Sequence, residues 1–136
     1  MENRNTNNTT QNNNKAMSYN EVYLNLVEKL EAISIKFKSY TDYPQSATNN
    51  AKKAIKYKKE NGSDCGTRVG WTRARQLADR KPISRDTIAR MASFKRHQQN
   101  KDVPYSEGCG GIMWDAWGGA SGINWAINKL KQIDKK

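Results

Sequence analysis

Apolar residues recur at helical spacing through most of this chain and alternate at strand spacing nowhere, a pattern that predicts an all-α fold. Val22, Leu26, Leu30, Ile33 and Phe37 form the first stripe. Ser18 followed by Glu21 is a capping-box pattern, so the first helix is expected over 19–36. Pro44 then biases Tyr43 away from helix, and Ser46 is placed to cap a second helix with Ala47, Ala51, Ala54 and Ile55 on one side. Asn61 and Gly62 stop it. A third helix is expected over 69–79, with Trp71, Ala74, Leu77 and Ala78 inward and Arg73, Arg75 and Arg80 outward, ended by Pro82. Ser84 caps a fourth over 85–97, where Ile83 and Ile88 are spaced as a hydrophobic staple and Ile88, Met91, Ala92 and Phe94 form the core face. A short apolar piece at 112–117 reads as one or two helical turns between glycines. Ser121 is placed to cap the last helix, which carries Ile123, Ala126, Ile127, Leu130 and Ile133 and ends in Lys131, Lys135 and Lys136 beside the negative end of its dipole.

Residues 1–17, dominated by Asn and Thr, hold almost nothing that burial could use to offset ordering entropy, and read as a disordered Asn-rich arm. The organisation expected is an arm at 1–17, an accessory amphipathic helix at 18–38 and a basic helical domain at 40–136, a small single-domain bundle. At 136 residues and 35% apolar content the chain supports one modest core. No segment approaches the roughly 20 apolar residues of a membrane span, and the N-terminus has no apolar signal region, which argues for synthesis in the cytosol. In such a reducing compartment Cys65 and Cys109 are expected to remain thiols, although each sits in a glycine-containing turn and the two loops could approach one another.

Charge changes the picture most. The formal net charge is +11, and between Arg68 and Arg96 stand nine cations, Arg68, Arg73, Arg75, Arg80, Lys81, Arg85, Arg90, Lys95 and Arg96, against Asp79 and Asp86. Such a density on two helices joined by a tight turn points to phosphates: cations neutralise them and release counterions, giving sequence-tolerant, salt-dependent binding. In a helix-turn-helix version of this pair Ser84, Arg85, Asp86 and Arg90 become base-edge candidates, with Asp86 an awkward fit unless it accepts from cytosine. Lys52, Lys53, Lys56, Lys58 and Lys59 on the second helix read first as a solvated face, with phosphate contact as the alternative.

A further pattern runs through Tyr43-Pro44, Ser46-Ala47, Asn50-Ala51, Cys65-Gly66-Thr67, Val69-Gly70, Arg73-Ala74 and Gln76-Leu77-Ala78. It continues through Ile83-Ser84, Thr87-Ile88, Arg90-Met91, Ser93-Phe94, Arg96-His97, Trp117-Gly118-Gly119, Gly122 and Trp125-Ala126. In these residues, about two thirds of the chain, the sequence resembles a small uncharacterised domain of tailed-phage genomes, met alone or fused to head-maturation and other structural proteins. The resemblance implies a phage origin and a virion or DNA-handling context, located in the host cytoplasm or the virion, and it brings no established activity. The arm and first helix lie outside it.

The remaining candidates read as structural. Trp114, Trp117 and Trp125 could stack on bases, but a small domain needs their area in its core. Cys65, Cys109 and His97, with Asp64, Asp102 or Asp115 as a fourth group, are the residues from which a thiol or zinc site could be drawn, and they lack the paired spacing zinc sites use. Gly118, Gly119 and Gly122 precede a helix with no strand before them and no Gly-Lys-Ser pair after them, so they read as a tight turn rather than a nucleotide loop. No paired carboxylates, triad or metal motif is present, so the reading is a non-enzymatic module without cofactor, small-molecule substrate or membrane partner. Its partner is expected to be nucleic acid, bound non-specifically. The alternative is a phage structural protein, with Val22, Leu26, Leu30 and Phe37 docking the chain onto a head or tail component.

Overall fold

A computed structural model describes residues 18–135, the side chains of residues 34–37 aside. The arm expected at 1–17 lies outside the described residues. The chain forms two compact units, Met1–Ile35 and Lys36–Lys136. The fold is all-α: helices α1 (Tyr19–Phe37), α2 (Gln45–Asn61), α3 (Arg68–Ala78), α4 (Arg85–Ser93), α5 (Gly110–Ala116) and α6 (Gly119–Asp134), with a 3-10 helix at Phe94–Asn100.

In the first unit α1 opens on the reciprocal cap its sequence implies: the Glu21 amide donates to Ser18 Oγ at 3.1 Å and the Ser18 amide to Glu21 Oε1 at 2.9 Å. Of its described apolar side chains, Tyr19, Val22, Tyr23, Leu24, Leu26, Leu30 and Ile33 are all at least half exposed and Val27 is partly buried.

The second unit is centred on α2, which packs on α3, α5 and α6, while α4 packs on α6. Ala47, Ala51 and Ala54 are fully buried, as their spacing implies. Small side chains there let α6 come close: an added Cβ on Gly122 would stand 3.0 Å from the Ala47 Cβ, so this position excludes any side chain without movement of the helix pair. Leu77, Ile88, Met91, Ile112 and Ile123, all at 0% exposure, complete the core with Trp114 and Trp117. Burial of each large aliphatic group contributes roughly 1.5–3 kcal/mol.

Two helices begin earlier than their serines suggest. Pro44 is the residue before α2 and Gly118, at φ 106°, the residue before α6, so Ser46 and Ser121 fall in the first turns and bond each other at 2.7 Å instead of capping. Ser84 does cap α4, accepting from the Thr87 amide at 3.2 Å, and Thr67 caps α3 in the same way from the Gly70 amide at 3.1 Å. The helix expected over 85–97 keeps α-helical form only to Ser93 and tightens into the 3-10 helix from Phe94. The chain also makes one element that its pattern does not suggest, a two-residue antiparallel pair, β1 (Ser39–Tyr40) with β2 (Ile83–Ser84).

The turn after α3 is held by Arg80, which is exposed as its helical spacing suggests but is not a free cation. Its backbone is left-handed (φ 56°), and the guanidinium folds back over the chain to donate to the Tyr43 carbonyl at 2.9 Å and Thr48 Oγ1 at 2.9 Å. Further bonds reach the carbonyls of Thr41 and Pro44, and the group lies 4.4 Å from the Tyr43 ring centre. Tyr43 is buried beneath it and donates to the Lys81 carbonyl at 2.7 Å. Arg80→Ala should therefore cost about 2–3 kcal/mol in urea unfolding, the worth of one or two charge-assisted bonds, because the two outer bonds are exchanged readily for water. Arg80→Gly loses the same bonds but relieves the left-handed strain, and should be about 1 kcal/mol less damaged. Equal losses for the two would remove the strain from this account.

Candidate polyanion-binding groove

Several of the nine cations between Arg68 and Arg96 are engaged by other groups of the chain. Arg85 forms a two-point ion pair with Asp134 at the end of α6, Nε to Oδ1 at 2.9 Å and Nη2 to Oδ2 at 2.6 Å. This pair raises the guanidinium pKa and holds the Asp134 carboxyl below the ordinary carboxylate value. Lys95 donates to Asn124, also on α6, and Arg96 to the Ser93 carbonyl of its own chain segment. Arg73 is half-buried rather than outward, its Nη1 on Gln76 Oε1 at 3.3 Å and its buried Nε without an acceptor among the described residues. Lys81, Asp86 and Arg90 are exposed, and Ser84 is committed to its cap. Although α3 and α4 follow each other across a tight turn, α3 packs chiefly on α2 and α4 on α6. The proposed base-edge set of Ser84, Arg85, Asp86 and Arg90 thus loses two of its members to intramolecular bonds.

Arg68 and Arg75 instead join the lysines of α2. Three adjoining concavities run along the seam of α2 and α3. The first is lined by Lys58, Arg68, Trp71, Thr72, Arg75 and the loop 63–67, and Lys58, Trp71 and Arg75 continue into the second with Ile55 and Lys59. Arg75, Ile55 and Lys59 continue into the third, where Lys52 and Lys56 enter with the two carboxylates Glu60 and Asp79. The result is one open groove carrying six cations, Lys52, Lys56, Lys58, Lys59, Arg68 and Arg75, with Arg75 common to all three parts. Lys58 lies 5.3 Å over the Trp71 ring and donates to the Ser63 carbonyl at 3.3 Å. Among the described residues the other five form no ion pair with Glu60, Asp79, Asp64 or any other carboxylate.

The local sequence explains this placement. On α2 the buried alanine stripe dictates that the intervening lysines face away from the core, and on α3 the inward Ala74, Leu77 and Ala78 leave Arg68, Trp71 and Arg75 toward the α2 seam. Trp71, expected inside, is half-buried and forms the groove's middle, with its indole N–H on the Cys65 carbonyl at 2.8 Å. Of the lysine face of α2, Lys52, Lys53, Lys56 and Lys59 are exposed, as a solvated face requires; Lys52, Lys56, Lys58 and Lys59 line the groove, while Lys53 lies 5.5 Å from the Tyr105 ring centre. Adjacency in the chain pairs α3 with α4, whereas in the fold α3 packs chiefly on α2, a relation that spacing along the sequence does not carry.

The cysteines are paired, not free: Cys65 and Cys109 form a disulfide with Cα atoms 5.4 Å apart. The expectation of two thiols fails because the packing of α5 against α2 and α3 brings the loop before α3 to the start of α5. With both sulfurs bonded, neither is available as nucleophile or ligand, and the described residues hold no cluster of three metal-ligating side chains. His97 sits 4.6 Å from the Phe94 ring centre, Asp64 lines the groove, Asp102 pairs with Lys101, and Asp115 accepts from the Tyr105 hydroxyl. Trp114 and Trp117 are buried, and Trp125 stands edge-on to Tyr43. Gly118 and Gly119, both at positive φ, form the turn into α6, with Asn50 donating to the Gly118 carbonyl at 2.9 Å. Of the docking set, Val22, Leu26 and Leu30 are exposed on α1, and the Phe37 side chain lies outside the described residues. No described helix is long and apolar enough to cross a membrane.

No protein-family model matches the chain, and no curated protein or solved structure is found to be similar to it.

Proposed function

We propose that this chain is a phage-encoded, non-enzymatic nucleic-acid-binding module that holds the sugar-phosphate backbone in the α2–α3 groove. The observation that carries the reading is the convergence of six cations from two helices on one open groove, five of them without a carboxylate partner among the described residues. A groove open along its length suits an extended polyanion better than an enclosed small molecule. Cations spaced along it contact successive phosphates and carry no base information, so the binding is indifferent to sequence. The phage-domain resemblance of residues 43 onward supports the same context.

The test is the salt dependence of binding to an arbitrary DNA duplex. With about four to six phosphates neutralised, the logarithm of the binding constant should fall against the logarithm of salt with a slope of about −4 to −5. A flat salt dependence, or no retention at low salt, ends the proposal.

A further inference from the structure

We infer that the exposed face of α1 is covered by α1 of a second copy of this chain, in a parallel two-stranded coiled coil. The inference is independent of what fills the groove. Tyr19, Tyr23, Leu26, Leu30 and Ile33 recur at intervals of four, three, four and three residues, the alternation that keeps one seam of a helix facing a partner helix. All five are among the exposed apolar residues of α1, at 87%, 60%, 54%, 57% and 52% exposure. A partner must repeat the same period over the same length, and α1 itself supplies one.

Charge favours this occupant and fixes its direction. The chain carries +11, yet α1 holds Glu21, Glu28 and Glu31 against Lys29 and Lys36, so two copies meeting here bring together a segment without a cationic excess. In a parallel pair Val22 of one copy falls opposite Val27 of the other, and Lys29 opposite the uncharged position 34. An antiparallel pair would instead set the two Lys29 residues against each other. The seam covers a helix of 19 residues, fewer than three heptads, so the dimer is weak, with a dissociation constant in the micromolar range.

The experiment is sedimentation equilibrium of the full chain from about 1 µM to 1 mM. The mass should rise from 15.5 kDa towards twice that value. Leu26→Asp with Leu30→Asp, which places charge in two successive layers, should raise the dissociation constant at least a hundredfold while leaving the thermal unfolding of residues 36–136 unchanged. Ile33→Cys should form a disulfide-linked dimer through residue 33 under mild oxidation, since only a parallel register sets that position against itself. A chain that stays monomeric throughout the range overturns the inference and hands the α1 face to another phage component. Dimerisation unaffected by the double substitution overturns it as well, as does a wild-type dimer whose Ile33→Cys variant fails to cross-link.

Discussion

Reversing Lys59, Arg68 and Arg75 to Glu should lower affinity for duplex DNA on the order of a thousandfold at about 0.1 M salt, since each phosphate contact is worth roughly tenfold there. The three lie in the successive parts of the groove and none is tied into the core, so the fold should survive the change. Net charge falls as well, from +11 to +5 for the triple reversal, and a global effect must be separated from a local one. The comparison is Arg90, Lys95 and Arg96 to Glu, which removes the same charge from α4 and the 3-10 helix. If the groove is the interface, that variant loses only the long-range attraction, roughly tenfold or less, and keeps most of the salt slope. Affinities read by fluorescence anisotropy at several salt concentrations decide the matter. Equal losses for the two variants would mean a diffuse cationic surface, and a larger loss for the second would move the site to the end of α4 and the 3-10 helix.

The contrast between those two triplets also marks how much the sequence could disclose. Patterns that depend on neighbours along the chain were legible: the Ser18–Glu21 and Ser84 caps, the alanine stripe of α2, the stop at Gly62, and Trp114 and Trp117 in the core. Patterns that depend on which helix touches which were not. Ser46 and Ser121 look like caps because serine before an apolar run usually is one, but their helices start earlier and the two hydroxyls meet across the α2–α6 contact. Arg80 looks like a free cation because its identity says nothing of the left-handed turn that swings it onto the carbonyls of 41–44. Arg85 is claimed by an aspartate 49 positions away. The groove is the clearest case, since its two halves were visible as separate basic faces and their union required the packing of α3 against α2.

Removal of the Cys65–Cys109 disulfide should destabilise the second unit by about 2–4 kcal/mol. The bridge closes a loop with a sequence separation of 44, for which chain entropy alone predicts about 4 kcal/mol, and residual order in the unfolded chain takes part of that away. The effect is large because the core is small-grained: seven of its buried positions are alanines, each of which contributes little apolar area. A Cys65→Ser, Cys109→Ser variant should lower the urea midpoint by about 1.3–4 M, taking a slope near 1–1.5 kcal/mol per molar for a unit of this size. The loss should also be visible in the groove. The bridged loop carries the Thr67 cap of α3 and the Cys65 carbonyl that receives the Trp71 indole, so amide protection at the start of α3 should fall more than in α4 or α6. DNA affinity of the variant, measured well below its unfolding midpoint, should drop modestly, because Arg68 and Trp71 lose their fixed wall while Lys52, Lys56 and Lys59 stay in place on α2. An unchanged midpoint together with complete alkylation of both cysteines in the native protein would show that the bridge does not form, and the stability of so alanine-rich a core would then need another source.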